Sequence, residues 1–393
     1  MAEIADMGAR GARAQSGPGV ATARRLRDVA PSAWDQLAAR AVEPNGYYLS
    51  PWALAVDAGA RRRSHVDALC GLTPARLLVA LLPVVSAWRA FRLPLPVLVS
   101  AESYGTLHTP LLARDDGTSA AQALLDDAIA HGARAIVLRE VPLQGAAVAA
   151  IGDVLARNGL EPTVLRAYPR ACLDATSDAE ALLRDALGAK KLKELRRQRN
   201  RLSDAGALTF TVAKSADDVA RAVETFLALE AGGWKGKRGT ALVQHQGDAA
   251  FIRNATVELA ARGQCEIALL IAGARPIAAG IILKHDKRAF WFKLGIDEEF
   301  ARLSPGVQLA LELTRYFCAD PSVEFVDSTA PADSPMINPI WRERFMIGDL
   351  VIPLKAGDPL FPVILTALRA HRALDSAARA ALHAIRRLKA QIR

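Results

Sequence analysis

Apolar and polar positions divide the chain into short strands and amphipathic helices, most clearly in its second half. A basic stretch from Ala189 to Leu202 keeps Leu192, Leu195 and Leu202 on one side and predicts a helix ending at Ser203–Gly206. A strand over Ala207–Ala213 follows, then a helix capped by Ser215 that runs to about Glu230. The loop 231–240 reads AGGWKGKRGT, and a second helix covers about 248–261. Gly263 ends that helix, and three strands follow as a meander: Glu266–Ala272, Ile277–Lys284 and Phe290–Leu294. Next come a helix over Pro305–Cys318, a strand over Val323–Asp327, a short helix near Met336–Arg342 and strands between Phe345 and Leu354.

The first half repeats this order. Helical stretches at 32–40 and 51–58 precede strands near 66–71, 77–85 and 97–100. A loop at 102–110, a helix at 119–131, a strand at 135–139, a helix at 143–158 and a strand at 160–168 complete it. The repeat predicts two similar domains, 23–174 and 175–357, behind a Gly-, Ala- and Arg-rich disordered tail at 1–22. After them, 358–393 form two amphipathic helices, about Phe361–Leu374 and Ser376–Ile392. The second carries Arg386, Arg387, Lys389 and Arg393. It is either a solvated face packed on the second domain or a peripheral membrane or partner helix.

The segment from Ala289 to Ser328 concentrates the chemistry. A strand leads to Ser304-Pro305-Gly306, which opens a helix, and the next strand ends in Asp327-Ser328. An open helix start after a strand presents backbone N–H groups to an anion, so a transferase could hold a phosphate-bearing donor here.

With 393 residues, 51% of them apolar and 23% charged, the composition is globular and long enough for two cores. The net charge of +9 brings polyanions into consideration: phosphorylated cofactors, nucleic acid or anionic lipid. Cys70, Cys172, Cys265 and Cys318 lie far apart with no CxxC pair, against a zinc site or disulfide framework and in keeping with a cytoplasmic location. No metal is expected. The longest apolar run, Leu77–Ala87, contains Pro83 and is too short to span a membrane.

Four stretches resemble the GNAT-fold acyltransferases of the CelD/BcsL type, linked to cellulose biosynthesis, and more distantly the Fem-type peptidyltransferases. They are KKLKELRRQRNRLSDAG, LEAGGWKGKRGTA, FKLGIDEEFARLSPGVQL and VDSTAPADSPMINPIWRER, in the family's order across 190–345. GTLHTPLL, at Gly105–Leu112, is similar to the family's first-domain loop. The resemblance implies an α/β (α+β) protein of tandem GNAT folds, each a mixed, mostly antiparallel sheet flanked by helices. It also implies acyl transfer, acetyl first, from acyl-CoA to an amine or hydroxyl of a small-molecule or glycan-precursor acceptor. The donor would sit at Arg302, Ser304, Gly306 and Val307, although Pro305 stands where the acetyltransferase pattern has its first glycine and lacks an N–H.

Around that loop, Trp234 can wall a substrate cleft while Lys235 and Arg238 meet anionic groups. The resemblance adds Trp341 as a substrate contact. Alternation places Phe290, Phe292 and Leu294 on one strand face and Trp291 and Lys293 on the other. Lys293 is expected to face the cleft and pair with Asp297 or Asp327. Glu230 and Asp327 are the general-base candidates, while His245 and His285 are expected at the surface. Two rivals remain: a Fem-like ligase using aminoacyl-tRNA at the basic helix, and a non-catalytic binding protein. With no interleaved aromatics or RNA-binding motif, nucleic acid is not the expected partner.

Overall fold

The computed structural model describes residues 24–391. The expected tail at 1–22 lies outside the described residues, as do the side chains of the basic C-terminal cluster. In the first half the strands are β1 (Arg24–Arg25), β2 (Asp67–Leu72), β3 (Leu78–Ser86), β4 (Val97–Ser100), β5 (Leu111–Leu112), β6 (Ala135–Pro142) and β7 (Thr163–Asp174). The second half has β8 (Leu208–Ala213), β9 (Cys265–Ala272), β10 (Arg275–His285), β11 (Arg288–Ile296), β12 (Phe325–Asp327) and β13 (Glu343–Pro353). Helices α1 (Pro31–Ala39), α2 (Ser50–Gly59), α3 (Ala87–Phe91), α4 (Gly117–Ala130) and α5 (Ala146–Arg157) belong to the first half. They are followed by α6 (Ala179–Ser203), α7 (Ala216–Gly232), α8 (Trp234–Lys237), α9 (Gln246–Ala261), α10 (Pro305–Cys318) and α11 (Phe361–Gln391).

All the strands join one sheet in the order β1-β2-β3-β4-β6-β13-β7-β12-β11-β10-β9-β8, with β5 on β3. Pairing is antiparallel except where a helix crosses over: α4 makes β4 parallel to β6, and α10 makes β11 parallel to β12. This is the mixed, mostly antiparallel sheet expected, in two similar halves. The last strand of each half is exchanged, however. β7 pairs with β12 of the second half, while β13 lies between β6 and β7. Neither half closes its sheet alone, since removing the other would bare a long unpaired edge.

One face carries a core shared by both halves, with Trp34, Trp52 and Leu124 from the first and Phe226, Phe251 and Phe290 from the second. On the opposite face α6 and α10 cover the second half through Leu195, Leu309, Leu313 and Phe317. A smaller cluster with Val97, Val137, Ile364 and Leu368 lies under α11. Strands such as β3 and β10 read as nearly unbroken apolar runs because both of their faces are covered.

Three local expectations change. The 231–240 segment contains a helical turn, Trp234–Lys237, and 335–340 form turns rather than a helix. The two expected C-terminal helices are one, Phe361–Gln391. No described helix is long and apolar enough to cross a membrane.

Candidate functional site

The site is built around β11. Its ladder with β10 slips between Ile281 and Ile282, so that Ile281 faces Lys293, Ile282 faces Trp291, and Phe292 is the extra residue. That bulge breaks strict alternation. Phe290, Phe292 and Lys293 all point to the α7 side, while Leu294 crosses to the α10 side with Trp291. The alternation expected from sequence is corrected accordingly, because one inserted residue shifts every later side chain to the opposite face.

On the α7 side Lys293 meets Glu230, not Asp297 or Asp327. Its Nζ lies 3.4 Å from Glu230 Oε1, and Lys235 Nζ lies 2.9 Å from the same oxygen. The backbone N–H of Leu242 donates to Glu230 Oε2 at 2.9 Å. Burial works to raise the carboxyl's pKa, but Lys293, Lys235 and the Leu242 N–H outweigh it and hold Glu230 below the ordinary carboxylate range. Burial pulls Lys293 below the usual lysine range, opposed by Glu230 and assisted by Lys235. Its ammonium also lies 5.5 Å from the centre of the Tyr104 ring and 5.6 Å from that of Phe292. The aromatic walls come from both halves, since Tyr104 stacks on Phe251 at 5.1 Å.

Above this pair the 231–240 segment leaves Trp234 half exposed, with the Arg238 guanidinium 4.9 Å from its ring centre. Trp234, Lys235 and Arg238 are thus brought together beside Glu230. Trp341 is not among them. It is buried against Trp291, and its indole N–H donates to Thr314 Oγ1 at 2.9 Å. Its expected substrate contact is corrected to a core role because no side of the ring is open.

At its end β11 delivers the chain to the other face. Asp297 caps the following 3-10 turn by accepting the Glu299 N–H at 3.0 Å, and it pairs with Arg275 at 2.6 Å. It is therefore occupied away from Lys293. Arg302 is exposed in that turn. Ser304 takes a left-handed conformation, φ 55° and ψ 52°, and Pro305 starts α10. At Gly306 a Cβ would meet Leu294 Cδ2 at 2.9 Å and Met336 Sδ at 3.2 Å, so any side chain there must displace its neighbours. The Gly306 and Val307 N–H groups belong to the unpaired first turn.

α6 runs past this helix start: Gln308 Nε2 donates to Leu195 O at 2.9 Å, and Arg199 pairs with Glu312 at 2.5 Å. On α6, Lys190, Lys193, Arg196, Arg197 and Arg201 are exposed, with no ion-pair partner among the described residues.

Between the two faces β11 and β12 separate. They pair only from Arg288–Phe325 to Phe290–Asp327, after which Thr329 Oγ1 donates to Trp291 O at 2.5 Å. Asp327, at the fork, accepts the Thr329 N–H at 2.7 Å and pairs with the fully buried Arg170 of β7 at 3.2 Å. Arg170 also donates to Tyr168 Oη at 2.6 Å and lies 3.8 Å from Glu140. Sequence reasoning missed Arg170 and Tyr104, because each owes its place to contacts across the halves, and it missed the bulge, because hydrophobic alternation assumes a regular ladder between β10 and β11. His285 is likewise corrected from surface to core: Nδ1 accepts the Asn45 N–H, and Nε2 lies 2.9 Å from Ala38 O. His245 is half-buried, with Arg61 Nη1 at 2.7 Å from its Nε2.

No curated protein matches the chain. Two solved structures share its fold over most of its length. One is FemX, at 12% identity and TM-score 0.54, covering 86% of this chain and 98% of its own. The other is the C-terminal domain of a protein assigned as a lysylphosphatidylglycerol synthetase from Agrobacterium fabrum, at 12% identity and TM-score 0.53, covering 85% and 94%. A tandem GNAT protein from the clavulanic acid biosynthesis pathway overlays more loosely, at 16% identity and TM-score 0.41, covering 85% and 99%. Residues 189–334 match the family described as "Acetyltransferase (GNAT) domain". The second half of this chain thus carries a GNAT-fold domain, within a mixed sheet built from two similar halves.

Proposed function

We propose that the chain transfers an acyl group, acetyl first, from acyl-CoA to an amine or hydroxyl acceptor, as its sequence resemblance to the CelD/BcsL-type acyltransferases implies. The observation carrying this reading is the course of β11. The strand holds the Lys293–Glu230 pair on one face and ends on the other at a helix start where a side chain at 306 would have to displace Leu294 and Met336. Between those points it parts from β12, leaving a fork through which a donor can reach an acceptor.

An acyl thioester supplies an electrophilic carbonyl and a thiolate leaving group. The Gly306 and Val307 N–H groups would hold a donor phosphate, and the cations of α6 would screen the rest of its charge. Lys293 would stabilise negative charge arising near the Tyr104 wall, with Glu230 orienting the ammonium. Glu230 is tied to two lysines and Asp327 to Arg170, so we assign both to positioning rather than to free general bases, and the acceptor's proton would pass through solvent to the departing thiolate, which leaves as the CoA thiol. We place the first half at the acceptor and read the polysaccharide or cell-envelope setting as the reaction's context. The second reading, a Fem-like transfer from aminoacyl-tRNA, is favoured by the uncompensated cations of α6 beside the donor loop, and by the fold shared with FemX.

Calorimetry against acetyl-CoA, longer acyl-CoAs and CoA, repeated with Gly306→Trp, tests the proposal. Binding that the substitution abolishes is expected. If no CoA species binds, while charged tRNA binds with a steep salt dependence that neutralising Arg196 and Arg197 removes, the second reading replaces the first.

A further inference from the structure

A cavity of about 530 Å3 opens beside the Lys293–Glu230 pair, between the halves. Arg61, Arg62, Arg63, Arg89 and Arg139 line it, against the two carboxylates Glu102 and Asp248. Their partners decide what the cavity can hold. Arg63 is neutralised by Glu102, with Nε to Oε1 at 3.1 Å. Asp248 is occupied by neutral donors, the Arg61 backbone N–H at 2.7 Å and the Tyr104 hydroxyl at 2.9 Å.

The other guanidinium groups have no carboxylate. Arg61 faces the His245 ring, and Arg89 donates to the Ser64 and His65 carbonyls. The side chains of Arg62 and Arg139 make no hydrogen bond or ion pair among the described residues. Arg62 is held on the cavity rim by a left-handed backbone, φ 65°. Neighbouring groups register the resulting field. Burial lowers the pKa of His108, and Arg139 lowers it further, to about 3. The Glu102 carboxyl would be raised by burial, yet Arg63 and Arg139 contribute to holding it below the ordinary range.

Tyr104 borders both this cavity and the candidate site: Arg63 lies 4.1 Å and Lys293 5.5 Å from its ring centre. Thr240 on the cavity wall donates its hydroxyl to Lys235 O at 3.2 Å, in the segment that covers Glu230.

We infer that this arginine-lined cavity binds a phosphate or diphosphate group of the acceptor, setting the nucleophile beyond Tyr104 next to Lys293. Guanidinium forks without a carboxylate, converging from several directions on one open pocket, suit the many acceptor oxygens clustered on adjacent tetrahedral phosphates better than the separated planar groups of a tricarboxylate, and a pocket of this charge concentrates such ligands from solution. The volume admits a diphosphate with part of the group it carries. Assignment to the acceptor rests on the acyl-transfer reading, whereas anion binding in the cavity does not.

The test is calorimetric titration of the full chain with inorganic pyrophosphate, with citrate as the carboxylate comparison. The Arg62→Ala/Arg139→Ala variant is used because neither side chain holds the fold. Pyrophosphate should bind the native chain more tightly than citrate, and the double substitution should weaken it by about tenfold or more while leaving acetyl-CoA affinity unchanged. Equal affinity for the variant overturns the inference, as does citrate binding as tightly as pyrophosphate. Gly306→Trp separates the two proposals: loss of pyrophosphate binding there, and not in the arginine variant, would put the anion at the helix start.

Discussion

Glu230 sits between two lysines, so deleting it and deleting its deeper partner should have unequal effects. In Glu230→Ala the Lys293 ammonium keeps only aromatic faces at 5.5 and 5.6 Å, and the Leu242 N–H loses its acceptor. Leaving one partner of a buried ion pair uncompensated costs about 3–5 kcal/mol, and an orphaned buried N–H about 1–3 more in the worst case. Lys235 can turn toward water, so we expect about 4 kcal/mol in all. In Lys293→Met the carboxylate keeps Lys235 at 2.9 Å and Leu242 at 2.9 Å, and the replacement is apolar among aromatics. That change should cost about 1 kcal/mol. Glu230→Ala/Lys293→Met should recover at least about 1.5 kcal/mol of the Glu230→Ala loss, since the stranded charge is gone. Urea unfolding of the four proteins at pH 7 measures all three values. The pairing argument is wrong if Lys293→Met is the costlier single change, or if the double variant is less stable than Glu230→Ala. The pH dependence has a fixed sign. Glu230 titrates below its ordinary 4.5, so its contribution is present above that value and is lost as pH falls through the folded one.

The remaining predictions concern two buried groups at the seam. His108, between Ser100 Oγ at 3.2 Å and Gly105 O at 3.3 Å, is pushed down to about 3 from 6.5, so the unfolded chain takes up its proton first as pH falls. Stability should therefore drop by about 1.4 kcal/mol per pH unit from this group between those values, or about 2 kcal/mol from pH 6.5 to 5. His108→Asn should flatten urea midpoints measured at pH 7 and 5, and an unchanged slope would contradict the assignment. Asp327→Asn should cost about 3 kcal/mol by denaturant unfolding, because it leaves the fully buried Arg170 with Glu140, 3.8 Å away, as its remaining carboxylate. A cost under about 1 kcal/mol would show that the pair is solvated.

The sequence was most legible where a local signal and a tertiary role coincide. α10 was read at its full extent, Pro305–Cys318, because proline starts it and Leu309, Leu313 and Phe317 repeat at helical spacing toward the core. The three-strand meander was legible for the same reason. β11 itself was found but misaligned in space, since periodicity assumes a regular ladder and a single bulge at Phe292 defeats it. Trp341 was drawn into the site by its place in a familiar stretch, although its ring contacts are those of a core residue. His285 looked polar in a hairpin turn, yet the turn docks on the first half and buries the ring. The arginine cavity was beyond reach: residues 61–63, 89, 102 and 139 are far apart in sequence and meet only when the first half folds, and Thr240, His245 and Asp248 of the second half complete the wall.

That assembly explains why a tandem fold would serve one site. The fork between β11 and β12 belongs to the second half, but its geometry is fixed from the first. β12 is held on its outer side by β7, and Arg170 of β7 ties down the Asp327 at the fork. Thr106, from the loop that also supplies Tyr104, donates its hydroxyl to Thr329 O at 3.2 Å just beyond it. Lys293 lies over Tyr104 of the first half and Phe292, and Phe292 is itself packed by Tyr47 and Trp52 of the first half. The strand exchange therefore does more than join two similar units. It commits the first half to supporting the fork and to walling Lys293 with Tyr104, so a second half excised at 175 would lose β7 along with the aromatic wall beside its lysine.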